Sequence, residues 1–144
     1  MRIPHDSYVL VADGAKMLFF RNEGDSENPN LQVIAAEQHA DEADRDLKTD
    51  AAGRSSGHNS SMGETDYHQQ AEDRFAAEAA GRINRAAQAG DFEQLIIVAP
   101  PRTLGELRKH YSKQVEPMIT AEIAKDLTGH PVDRIEQALQ NYEK

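Results

Sequence analysis

The sequence predicts one α/β domain built on a mixed five-stranded sheet, and three observations carry that expectation. Two short stretches, Tyr8–Ala12 and Leu95–Ala99, are apolar without interruption, as strands covered on both faces are. The turn dipeptide Asp13-Gly14 separates the first of them from another apolar stretch at hairpin distance. From residue 66 to residue 90 the apolar positions instead recur at helical spacing.

Taken in order, Tyr8-Val9-Leu10-Val11-Ala12 is too short for a helix and ends on a turn, which makes it the first strand. Lys16-Met17-Leu18-Phe19-Phe20-Arg21 is its antiparallel neighbour. Asn22 to Asn30, with Gly24 and Pro29, is a loop, and Leu31–Ala35 is a third, half-buried strand. Residues 39–65 show no apolar period, being acidic at first and then small and polar, so they read as a long flexible loop. A structureless stretch of that length within a compact domain is functional or disordered.

A helix is expected from Asp66, with Asp66 and Gln69 as a capping box and Gly90 as its stop. Ala71, Phe75, Ala76, Ala79, Ala80, Ile83 and Ala87 mark one face, and its alanines suit close packing on a sheet. Leu95–Ala99 reads as a central parallel strand stopped by Pro100-Pro101. Thr103 and Glu106 pattern as a second capping box, opening a helix with Leu104, Leu107 and Tyr111 on one side. Met118–Ile123 alternates as a fifth strand. Pro131 suits a first helical position, before the amphipathic set Val132, Ile135 and Leu139. The order β-β-β-α-β-α-β-α, with strands one and four central and adjacent, is ribonuclease H-like.

A chain of 144 residues suits a single domain over 1–144. It has no cysteine, which excludes disulfides and thiolate metal sites and fits a reducing compartment. No stretch approaches the roughly 20 apolar residues of a membrane span, and no secretory h-region follows the N-terminus, so a cytoplasmic protein is expected. The net charge is -9, from 25 acidic and 16 basic residues, which argues against a broad DNA-binding footprint and a membrane partner. The acids crowd residues 23–78, whereas Arg102, Arg108, Lys109 and Lys113 form a basic segment.

Few chemical constellations survive inspection. A ribonuclease H-type nuclease gathers carboxylates around divalent ions, yet the fourth strand ends in Ala99-Pro100-Pro101 and Asp13 suits a hairpin turn. His39, His58 and His68, with Asp41, Asp44 and Asp66, match no metal-ligand spacing, and no metal or other cofactor is expected. No nucleophile elbow, Walker-type loop or dinucleotide fingerprint occurs. Pro100-Pro101-Arg102-Thr103 is the segment that invites a ligand. It sets Arg102 and Thr103 at a helix N-terminus past the carboxyl end of a central strand, where an anion or an acidic partner is favoured.

Four blocks together resemble a known family: Val11–Lys16, Arg74-Phe75-Ala76, Leu95–Arg108 and Glu122–Thr128. In this order they are similar to the signature blocks of the bacterial host attachment protein family, with Ala99-Pro100-Pro101-Arg102 the most specific. That family is distantly similar to the middle domain of archaeal and eukaryotic peptide-chain release factors. The resemblance implies that the loop after the third strand corresponds to the release factors' Gly-Gly-Gln loop. Here that loop holds Gly53-Arg54-Ser55-Ser56-Gly57-His58-Asn59, with the glutamine and the paired glycine missing. Two functional expectations follow. One is a non-enzymatic binding module using Arg102 and Thr103, whose partner is a protein or ribonucleoprotein of unknown identity. The other is a ribosome- or tRNA-associated peptidyl-tRNA hydrolase in which Arg54, Gly57, His58 and Asn59 form the active loop. The sequence leaves the oligomeric state open.

Overall fold

Five strands form one open mixed sheet in the order β3-β2-β1-β4-β5, from β1 (Tyr8–Ala12), β2 (Lys16–Asn22), β3 (Leu31–Gln38), β4 (Leu95–Ala99) and β5 (Ile119–Ala124). The computed structural model describes residues 1–38 and 57–143, and over 57–66 the course of the backbone only. Among the described residues, three helices cover the sheet: α1 (Gly57–Gln88), α2 (Pro101–Arg108) and α3 (Val132–Gln140), with a 3-10 turn at Glu116–Met118. The architecture is α/β and consistent with the ribonuclease H-like arrangement.

The two uninterrupted apolar runs do lie side by side. β1 pairs in parallel with β4, Val9 facing Ile96 and Leu10 facing Ile97. β1 also pairs antiparallel with β2, while β4 pairs in parallel with β5. Strand alternation then sorts the side chains into two cores. Leu10, Ala12, Leu95, Ile97 and Ala99 meet Phe75, Ala76, Ala79, Ala80 and Ile83 of α1 and Leu104 and Leu107 of α2. Val9, Val11, Ile96 and Val98 meet Ile135 and Leu139 of α3 on the other face. The alanines of α1 let its axis come close to the sheet, as their spacing suggests.

Three local expectations are corrected. The long helix starts at Gly57, not Asp66, so residues 57–65 are helical and Asp66 lies inside the helix rather than capping it. The rest of the 39–65 segment, up to residue 56, lies outside the described residues. The helix after β4 starts at Pro101 with Pro100 as its N-cap, and Pro100 makes no side-chain capping bond. Proline fits there because a first-turn N–H has no intrahelical acceptor in any case. Thr103 is therefore a buried first-turn residue rather than a cap. Finally, β3 runs on to Gln38 and is mostly exposed, because among the described residues it is an edge strand paired with β2 alone.

Candidate functional site

Because β1, β4 and β5 are parallel, their carboxyl ends at Ala12, Ala99 and Ala124 gather at one edge of the sheet. Each strand is followed there by a polar segment: Asp13-Gly14, Pro100-Pro101-Arg102-Thr103, and Lys125-Asp126-Leu127-Thr128. Three segments widely separated in sequence thus meet in space, and they are three of the four blocks that carry the family resemblance.

The first and third segments are clamped together. The buried Thr128 hydroxyl lies 2.7 Å from Asp13 Oδ2 and 2.8 Å from Asp126 Oδ1, so its one proton is shared between two carboxylates. Asp13 Oδ1 accepts the backbone N–H groups of Ala15 and Lys16, both at 2.7 Å. Asp13 is thus the hairpin turn residue its Asp-Gly context suggests, and it also ties β1 to the turn before α3. Both its oxygens are engaged, which makes it a structural clamp rather than a free base. The α1 side chain of Glu72 lies directly over Gly14, where a Cβ would come within 2.5 Å of the Glu72 carboxyl group.

The second segment points outward. Arg102 is exposed and forms no ion pair or hydrogen bond with another described residue. Two cations further along, at the end of α2, are already partnered. Arg108 holds Glu122 at 2.9 Å, and its bond to that carboxylate keeps the guanidinium above its ordinary value. Lys109 holds Glu106 at 2.7 Å, with the same consequence for its ammonium. The first turn of α2 adds backbone N–H groups without intrahelical acceptors. Thr103 contributes through its backbone, since its side chain is buried. Among the described residues, this edge therefore offers one guanidinium without an ion pair beside a helix N-terminus, on a rigid diproline base.

The other sequence candidates lie elsewhere. Gly57, His58 and Asn59 occupy the first turn of α1, while Arg54 falls outside the described residues, as do His39, Asp41 and Asp44. His68 sits on α1, with its ring edge-on to Tyr67 at 6.4 Å. Among the described residues, no group of three or more His, Asp or Glu side chains converges as a metal site. Sequence reasoning missed the role of Thr128, which lies 115 positions from Asp13. The signal available was the Asp-Leu-Thr block itself.

Residues 6–139 match the family model described as bacterial archaeo-eukaryotic release factor family 12. Over 58 residues the chain is 40% identical to Uncharacterized protein RP470 of Rickettsia prowazekii (strain Madrid E). That stretch amounts to 40% of this chain and 38% of the Rickettsia protein.

Proposed function

We propose, for a chain that belongs to bacterial archaeo-eukaryotic release factor family 12, a role as a binding module that docks on a ribonucleoprotein through the carboxyl edge of its sheet. The observation that carries this reading is Arg102, exposed and unpaired among the described residues, beside the N-terminus of α2. A phosphate placed there would accept from the guanidinium and from the first-turn N–H groups together. The saturated hydrogen bonding of Asp13 supports binding over catalysis at this edge. A single such contact is compatible with an acidic molecule, because the attraction is local rather than a broad basic footprint. The reading includes a cytoplasmic setting, supported by the cysteine-free sequence. Any influence on attachment to host cells would then be indirect.

Sedimentation with purified ribosomes at several salt concentrations tests this. The parent chain should pellet with ribosomes, and Arg102→Ala should lose about 1.5–3 kcal/mol of binding while melting at the same temperature. Its salt dependence should also fall by about one phosphate contact. A parent chain that stays in the supernatant, or a variant that pellets equally well, refutes the proposal.

Family membership favours a second reading, hydrolysis of peptidyl-tRNA by the Gly53–Asn59 segment, whose residues Gly57, His58 and Asn59 form the first turn of α1. Either His58 or Asn59 would position the water at the ester carbonyl. Release of the peptide by the parent chain, abolished in Asn59→Ala or His58→Ala, would establish it.

A further inference from the structure

β3 occupies an edge of the sheet, and such an edge presents a row of backbone donors and acceptors that natural proteins usually guard. This one runs for eight residues, Leu31–Gln38, and contains no proline, lysine or arginine. Val33 and Ile34 are 57% and 48% exposed. The register shift opposite Phe19 and Phe20 leaves Ile34 without a direct cross-strand partner. Ile34 borders an apolar cleft of about 490 Å³ between the edge of the sheet and α1. Tyr8, Phe19, Ile83 and Phe92 line it, with the Tyr8 and Phe92 rings stacked at 4.9 Å. Arg85 and Asp91 also line the cleft, are exposed, and form no ion pair with another described residue.

We propose that this patch is a two-fold interface with a second copy of this chain. β3 pairs antiparallel with β3 of the second copy, extending the sheet, and Ile34 enters the second copy's cleft. A two-fold axis perpendicular to the sheet keeps α1 of both copies on the same side, so each knob can reach the opposite cleft. Arg85 then faces Asp91 of the second copy, and the same pair repeats across the axis. The occupant is a second copy because the protruding Ile34, the receiving cleft and the charges of Arg85 and Asp91, unpaired among the described residues, share one patch. An isologous interface requires that self-complementarity. The chain carries a net -9, whereas at this patch Arg82 and Arg85 stand against Glu37, Glu78 and Asp91, so the patch is far nearer neutrality than the chain as a whole.

Sedimentation equilibrium of the full chain, with charge-swap variants, tests the proposal. The parent should be a dimer. Arg85→Asp and Asp91→Arg, each at an exposed position, should melt like the parent yet dissociate about tenfold or more weakly, since each places like charges across the axis twice. Mixing the two variants in equal amounts should restore dimers, because every cross-axis contact in the heterodimer then joins opposite charges. The proposal is overturned by a monomeric parent, by single variants as dimeric as the parent, or by a mixture no tighter than its components.

Discussion

Ser7 stands just before β1 with its backbone fully used: its N–H donates to the Pro4 carbonyl at 3.1 Å and its carbonyl accepts from Asn22 N–H at 2.9 Å. Its buried hydroxyl has no partner among the described residues. An orphaned buried hydroxyl costs roughly 1–3 kcal/mol, part of which is regained when the oxygen is removed. Ser7→Ala should therefore be neutral or raise the melting temperature, and a clear drop would reveal a partner for the hydroxyl. Tyr111 makes a pH-dependent case. Burial, and after it the charge of Glu122, pushes its phenol well above the usual range, and its oxygen also lacks a partner among the described residues. An acid whose folded value is raised contributes stability that is fully present below its unfolded value, about pH 10, and lost as pH rises toward the folded value. Tyr111→Phe should flatten the alkaline loss of stability, measured by urea unfolding on either side of about pH 10. An unchanged slope would assign that loss to other groups. Neither residue announces itself in the sequence, because an unpartnered oxygen is a fact about neighbours. Asn22 makes the same point from the opposite side. The sequence places it at the start of a loop, yet it is buried, with its amide donating to the Ile3 carbonyl at 2.8 Å and its oxygen accepting from Asn30 N–H at 2.8 Å.

At the scale of elements, local pattern succeeded where burial is periodic and failed where a side chain must choose a partner. Tyr8–Ala12 and Leu95–Ala99 are legible because strands covered on both faces admit only apolar residues. The Thr103–Glu106 capping pattern is present but unused, because Pro101 already begins the helix and Glu106 is drawn to Lys109. Asp66 and Gln69 mislead in a similar way: the helix simply continues past them to Gly57, and Gln69 donates to Asp73 at 2.6 Å instead. The carboxyl edge was half legible. Its Pro100-Pro101-Arg102 segment follows from strand and turn chemistry, whereas its Thr128 clamp joins two elements that meet only once the sheet has formed. Thr128→Val tests that clamp. It removes the hydroxyl that Asp13 and Asp126 share and leaves two carboxylates facing an apolar group, so it should cost about 1–3 kcal/mol. A variant as stable as the parent would mean that Asp13 is held by its turn bonds alone.

For the whole molecule the decisive feature is that both cores draw on the same strands. β4 sends Leu95, Ile97 and Ala99 toward α1 and α2, and Ile96 and Val98 toward α3, with all five fully buried. A side chain on one face therefore cannot be disturbed without moving the backbone that supports the other. Val98→Asp places an unpaired carboxylate in the α3-side core, and the cost should be several kcal/mol, a large part of the ~5–15 kcal/mol that stabilises a typical domain. Because β1 and β4 hydrogen-bond directly along their length, that loss should not stay on the α3 face. In the variant, hydrogen exchange should accelerate together for amides of α1, β4 and α3, and chemical unfolding should remain a single transition at lower denaturant. Retained protection in α1 beside lost protection in α3 would show two separable cores. A variant melting within a degree or two of the parent would place Val98 outside the core altogether.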